Sequence, residues 1–259
     1  MDFDKRYNRA ISQSLVESYL KCGLAAKFQY VDGLRRVNTR MATGTALSRC
    51  ACEDNREKMY SGKPLALMDL QNIAVEEYEA EIEANDVVES KIDIAKGKDR
   101  TASAAVAFGE RVSPKLNGVI AAEETITVKV DDDVTYAGTP DYVTEDGIGD
   151  LKTGKPWNQT RANNSRQLTA YSILHKSRYG EFPKRVWIDT LYAKGKGWEA
   201  ARLWSRRQEE DYRGFIYIVK AVVSGFNAGV FLPAAETEWY CSEKWCSYWK
   251  ICPAKGRRG

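Results

Sequence analysis

Histidine is what the chain has least of: one residue, His175, in 259. That excludes a His-rich zinc site and argues against a serine- or cysteine-protease triad. His175 itself reads as a solvated helix residue. No apolar run is long enough to span a bilayer, and no signal-like segment opens the chain, so a soluble, cytoplasmic protein without a membrane partner is expected. Low-complexity tracts and clear internal repeats are missing as well. So is a strong charge of either sign. Lys and Arg total 39 against 36 Asp and Glu, a net charge of +3. Any nucleic-acid contact must therefore come from local basic patches. What is present is a globular composition, 43% hydrophobic and 29% charged, on a chain long enough to bury a substantial core.

Apolar spacing predicts helices over 11–31, 44–60, 64–83 and 101–112, with a charged stretch at 85–100 between the last two. Ser12 or Ser14 can cap the first. Alternating strands follow at 125–130 and 134–137. With the hairpin after them they should form a three-stranded meander. A helix over 161–179, strands over 186–192 and 200–204, and a long helix over 208–226 complete the pattern. The fold class expected is mixed α/β: a central mixed sheet flanked by helices, with a helical N-terminal region. The organisation expected is a helical region at 1–115, a catalytic core at 116–232 and a cysteine-bearing tail at 233–259, together one compact unit.

The hairpin carries the chemistry. It runs Gly138-Thr-Pro-Asp-Tyr-Val-Thr-Glu-Asp-Gly-Ile-Gly-Asp-Leu-Lys-Thr-Gly154, with Glu145-Asp146-Gly147 as its turn. Strand side chains repeat every second residue, so Asp150 and Lys152 share a face. Pairing brings Asp141 to the same face. Two adjacent carboxylates repel each other and gain by holding a hard divalent cation, Mg²⁺ or Mn²⁺. A lysine beside them can position water or neutralise charge developing on phosphorus. The combination suits phosphodiester hydrolysis. On the helix that follows, Gln167, Tyr171 and Leu174 share one face, and Gln167 and Tyr171 are candidates to lie over the metal pocket.

A second signal lies in the tail. Cys241, Cys246 and Cys252 fall within twelve residues, with Pro253 after the last. Clustered cysteines in an intracellular protein more often bind metal than form disulfides. Cys22 is a candidate fourth ligand from far upstream. Four thiolates suit an iron–sulfur cluster or a Cys₄ zinc site; the loose spacing and the Cys-Pro ending favour iron–sulfur. Cys50 and Cys52 read as buried thiols.

The Gly-Thr-Pro-Asp and Asp-Leu-Lys-Thr-Gly-Lys strands, the Gln-Leu-x-x-Tyr helix and the cysteine arrangement together resemble the PD-(D/E)xK nuclease superfamily. The nearest likeness is to RecB-like nucleases with an iron–sulfur clasp, such as CRISPR adaptation nucleases and phage exonucleases. The resemblance runs from Cys22 to Cys252. It implies that Asp141 and Asp150 are ligands for Mg²⁺ or Mn²⁺, that Lys152 is catalytic and that Gln167 and Tyr171 orient substrate. It further implies that Cys22, Cys241, Cys246 and Cys252 hold a 4Fe–4S cluster stapling the first helix to the tail. The substrate implied is DNA, cut from single-stranded ends, with a recombination or helicase partner. One position departs from the pattern. Relatives carry Gly-x-x-x-His at the start of the second helix, where this chain has Gly44-Thr-Ala-Leu-Ser48. A hydroxyl is a poorer ligand than imidazole, and Glu53 or Asp54 is a candidate substitute. Backbone contacts are expected from Lys155, Arg161, Arg166, Lys194 and Lys196, and base stacking from Trp157. The alternatives are a catalytically weakened nucleic-acid-binding protein and a metal-clasped scaffold subunit.

Overall fold

The computed structural model describes residues 10–87, 89–131 and 134–255. In chain order the elements are β1 (Ile11–Ser12), α1 (Gln13–Lys21), α2 (Gly23–Ala26), a π-helical turn at Lys27–Val31, β2 (Arg36–Val37), α3 (Thr39–Ser61), α4 (Leu67–Glu83), β3 (Asp86–Val87) and α5 (Lys91–Arg111). Then come β4 (Val119–Ala121), β5 (Ile126–Asp131), β6 (Val134–Gly138), β7 (Tyr142–Thr144), β8 (Gly147–Gly154), α6 (Gln159–Asn163) and α7 (Arg166–Tyr179). β9 (Arg185–Lys194), β10 (Gly197–Ser205) and α8 (Glu209–Asn227) close the series. The fold is the mixed α/β class expected, with a helical N-terminal region.

The chain forms two compact units that interleave along the sequence. One comprises Met1–Arg36, Thr127–Ala137 and Arg213–Gly259; the other comprises Val37–Ile126 and Gly138–Tyr212.

The second unit holds a five-stranded sheet in the order β10-β9-β8-β7-β4. β7 and β8 form the hairpin, with Tyr142 opposite Gly149 and Thr144 opposite Gly147. β8 and β9 run parallel, Asp150 beside Ile188 and Lys152 beside Thr190, and α6 and α7 make the crossover that parallel pairing requires. On one face lie α3, α4 and α5, whose Leu47, Leu70, Ala74, Ala104 and Phe108 cluster with Tyr142, Leu151, Trp187 and Leu191 of the sheet. Runs of alanine let these helices approach closely. Asp189 is buried on that same face, where Arg202 pairs with it through two bonds of 2.8 and 2.7 Å and Tyr142 and Trp187 donate to it. The charge is therefore fully compensated, as a buried carboxylate must be.

Gly147 sits where no other residue fits. Its φ is +153°, and a Cβ there would fall 2.0 Å from the Arg185 carbonyl oxygen of β9. Gly147→Ala is expected to destabilise the protein by about 3 kcal/mol or more, read as a lowered urea midpoint.

Several boundaries differ from the sequence expectation. α5 begins at Lys91, inside the stretch read only as charged, because Ser90 caps it by accepting from the Asp93 N–H. Its charges face outward while Gly97, Thr101 and Ala104 turn inward. The helix expected over 161–179 is two, broken where Ser165 caps α7. Asn163, Asn164 and Ser165 prefer such local bonds to helix continuation. β5 and β6 do not join the hairpin. They pair in a separate three-stranded sheet, order β1-β6-β5, and the antiparallel trio beside the site is β4-β7-β8. Pro140 lacks the N–H that would carry β6 pairing onward. His175 is buried rather than solvated, 8% exposed, with Nδ1 2.8 Å from the Glu181 carbonyl oxygen.

The first unit contains α1, α2 and the tail. Ser12 caps α1, and the helix stops at Cys22, whose extended backbone starts α2. Gly23 allows the Phe231–Leu232 backbone to pass so close that a Cβ would meet it at 2.8 Å. The Tyr240 and Tyr248 hydroxyls donate to the Lys21 and Leu34 carbonyls, and Arg36 donates to the Ser247 carbonyl. The tail is thereby tied to the N-terminal helices.

Candidate active site

The hairpin register, carried one residue beyond Tyr142, sets Asp141 against Asp150. Both carboxylates are buried, 7% and 2% exposed. Lys152 lies on the same face as Asp150, its Nζ 2.7 Å from Asp150 Oδ2. α7 crosses above. Gln167 Nε2 donates to Asp150 Oδ1 at 2.8 Å and to Tyr171 Oη at 2.7 Å. Tyr171 Oη is itself 3.0 Å from Asp150 Oδ1 and 3.2 Å from the Thr139 carbonyl oxygen. From the opposite direction α3 delivers Ser48, whose hydroxyl donates to Asp141 Oδ1. The Leu151 N–H donates to Asp141 Oδ2 at 2.6 Å. All five residues singled out from the hairpin and its following helix thus converge. Ser48 joins them by holding a carboxylate in place. The Gly44-x-x-x-Ser48 spacing puts Ser48 at the site, but nothing in it specifies a hydrogen bond to Asp141 rather than a place beside a metal.

The electrostatics follow from burial. Asp141 is pushed up to about 7, first by desolvation and then by the Asp150 carboxylate; Lys152, Ser48 and the Leu151 N–H pull in the other direction. Burial works to lower Lys152, but Asp150 and Asp141 outweigh it and leave it raised. It therefore stays an ammonium at neutral pH. Tyr171 is held far above its ordinary value by burial and by both carboxylates, so it stays a neutral phenol that accepts from Gln167 and donates its own proton.

A raised carboxyl pKa has a definite sign in stability. Between its unfolded value near 3.8 and about 7 the folded state keeps a proton that the unfolded chain has released. In chelator, stability from this group is full below pH ~4 and is lost as pH rises through about 7. Asp141→Asn is expected to flatten that part of a thermal-melting pH profile.

The donor set fits a divalent cation. Asp150 Oδ2 is buried and receives no hydrogen bond of good direction despite the nearby ammonium. Ionised carboxylates keep further lone pairs beyond those already engaged. Among the described residues, however, no three His, Cys, Asp or Glu side chains are arranged to hold a metal. Asp141 and Asp150 would act as a pair, completed by water and substrate, as Mg²⁺ tolerates. Glu53 and Asp54 are not substitutes for the missing imidazole. Glu53 pairs with Arg56 at 2.5 Å. Asp54 is buried elsewhere, bonded to the Leu65 N–H, Ser113 and Lys58.

The expected basic residues are spread over two places. Lys155 follows the end of β8. The Lys194-Gly-Lys196 turn ends β9 on the same side, since Gly154 registers with Tyr192. Lys194 spends its charge on Glu199 at 2.9 Å. Arg161, on α6, stacks its guanidinium 3.9 Å over the Trp157 ring and is close enough to repel Lys152. Arg166 opens α7. Trp157 therefore has one face covered by Arg161.

In the first unit Cys22, Cys241, Cys246 and Cys252 are all free thiols, each half-buried. Burial pushes the Cys246 thiol up; the Tyr248 backbone opposes this, and Cys22, Cys252 and Cys241 are near enough to add to it. The four gather without forming a tight ligand set. Cys50 and Cys52 are fully buried, as expected, and burial pushes both up to about 12.

The hairpin thus presents two paired carboxylates and an adjacent ammonium beneath the Gln167–Tyr171 face of α7. Residues 10–253 match the family model of the PD-(D/E)XK nuclease superfamily, and the chain belongs to that superfamily. A candidate exonuclease from Eubacterium rectale shares the fold. It aligns over 97% of this chain and 97% of its own with a TM-score of 0.59 at 8% identity. SSO0001 aligns over 94% and 96% at 14% identity, but with a TM-score of only 0.36. Comparison with curated proteins yields no match. Members of the superfamily typically use Mg²⁺ or Mn²⁺. Among the described residues no helix is long and apolar enough to cross a membrane.

Proposed function

We propose that the protein is a metal-dependent deoxyribonuclease that digests single-stranded DNA from its ends. The observation that carries this reading is the buried Asp141–Asp150 pair with Lys152 2.7 Å from Asp150. Asp141 and Asp150 would hold the cation, which when bound supplies Lewis-acid polarisation of the scissile phosphate. Ser48, Gln167 and Tyr171 fix the two carboxylates so that no rearrangement is needed on binding. The Lys152 ammonium neutralises negative charge as water attacks phosphorus and the 3′ oxygen departs. Lys155, Arg161, Arg166 and Lys196 contact the backbone without reading sequence, and Lys194, paired with Glu199, adds to this only by releasing that partner. Cys22, Cys241, Cys246 and Cys252 hold a 4Fe–4S cluster; four free thiols within electrostatic reach of one another support a shared site, and the loose spacing with Pro253 after Cys252 favours iron–sulfur over zinc. A place in DNA recombination, in a bacterial or phage-infected cell, with a helicase partner, accords with this activity.

End-labelled single strands incubated with Mn²⁺, with Mg²⁺ and with EDTA test the reading. Shortening from an end with either metal and none in EDTA is expected. Intact strands in all three would overturn it, and cuts scattered along the interior would replace exonuclease with endonuclease.

A further inference from the structure

A cavity of about 360 Å³ opens at the end of β8, on the α3–α5 side of the sheet, just beyond the strand that carries Asp150 and Lys152 on its other face. Thr153 and Gly154, which follow Lys152, form part of its wall; Arg40, Arg100, Lys155 and Trp198 form much of the rest. Three cations thus reach one cavity from three elements: α3, α5 and the segment after β8. Among the described residues that line it there is no carboxylate. None of the three side chains has an ion pair among the described residues, whereas other surface cations do: Arg49 with Glu123, Lys98 with Glu79, Lys194 with Glu199. Converging positive charges without a counter-ion raise the local potential, and a concave wall focuses it on an incoming anion. The cavity at the opposite end of the sheet makes the contrast. It is larger, about 680 Å³, and also basic through Lys184, Arg185 and Arg206, but Asp211 lines it too.

Trp198 adds a different kind of contact. Its Nε1 donates to Ser103 Oγ on α5 at 3.0 Å, which fixes the ring. A fixed indole beside several cations matches one ligand unit: a phosphate with a flat base attached. Position along the elements gives the spacing. Arg40 precedes Ser48 by eight residues on one helix, about 12 Å along its axis. Lys155 follows Lys152 by three residues, at most about 10 Å of strand. The cavity therefore lies near the carboxylate pair, around the end of the strand from it rather than over it.

We infer that this cavity is a subsite for a neighbouring nucleotide of the bound single strand, its phosphate held by Arg40, Arg100 and Lys155 and its base laid on Trp198. The inference rests on the nuclease reading only in taking the strand to pass the carboxylates.

Fluorescence anisotropy with a labelled single-stranded oligodeoxynucleotide in EDTA, where nothing is cut, tests it. Arg40→Gln/Arg100→Gln is expected to weaken binding about tenfold or more. The slope of log affinity against log salt should also shrink by up to about 0.7, the single-strand value for one phosphate no longer neutralised. Lys184→Gln/Arg206→Gln, which removes the same charge at the other end of the sheet, should change affinity less than about twofold if backbone contacts are local. Equal losses in the two pairs would mean diffuse attraction and overturn the subsite, as would no loss in the first pair. Adding Mn²⁺ to the same samples separates the two claims. A wild type that binds as described yet never cuts sinks the nuclease and leaves the subsite standing; a wild type that does not bind sinks the subsite.

Discussion

Lys152→Ala is expected to reduce Mn²⁺-dependent cleavage of single-stranded DNA by about 10²–10³-fold, the range for removing one preorganised group that meets developing charge. Binding should change far less, because Lys152 is one cation among several near the strand. The reason lies in the position of the ammonium. Asp150 and Asp141 keep it protonated despite burial, so it meets the reacting phosphate as a fixed positive charge. An arginine would keep the charge but not the compact point geometry, so Lys152→Arg should restore little. The substitution also removes one of the groups that hold Asp141 down from a still higher pKa. The residual activity should therefore need more alkaline pH or more metal than the wild type. Gel assays of end-labelled strands at several pH values measure both effects. Equal digestion by wild type and Lys152→Ala would show the activity to be a contaminant.

The hairpin was legible because its information is local. Alternation puts Asp150 and Lys152 on one face, a two-residue turn sets the register, and register alone places Asp141 opposite Asp150. Gln167 and Tyr171 are four apart, one helical turn, so their shared face was equally local. What escaped was non-local. Nothing in residues 125–137 says that their partner is the two-residue strand at Ile11–Ser12 rather than the hairpin. Arg40, Arg100 and Trp198 are far apart in sequence and meet only because α3 and α5 pack on the same sheet. The start of α5 is a different case. Ser90 and Asp93 form a legible cap, obscured by the density of charge around them. Ser48 was noticed for the imidazole it lacks, whereas its structural role is the hydrogen bond it makes to Asp141.

Cys22→Ser should have the largest effect on stability. Of the four gathered thiols it alone comes from the N-terminal helices; Cys241, Cys246 and Cys252 lie together in the tail. A cluster bonded to all four closes a loop of more than two hundred residues. By loop-closure arithmetic such a link is worth roughly 5 kcal/mol, even though each doubling of length adds little. That is a large share of the stability of an ordinary domain. The backbone near Cys22 is compatible with such a link. α1 ends at Cys22 itself, and Gly23 lets the chain at Leu232 pass. The purified wild type is expected to be brown, with iron and sulfide near four each per chain if a 4Fe–4S cluster is present. Cys22→Ser should lose the colour and melt at a markedly lower temperature. Limited proteolysis should then cut first in residues 228–255, left with only non-covalent ties such as the hydrogen bonds of Tyr19, Tyr240, Tyr248 and Arg36 and the Phe28–Tyr248 ring contact. A colourless wild type containing one zinc per chain would replace the cluster with a Cys₄ site while keeping the staple. A colourless variant that melts and resists protease like the wild type would remove the stapling role altogether.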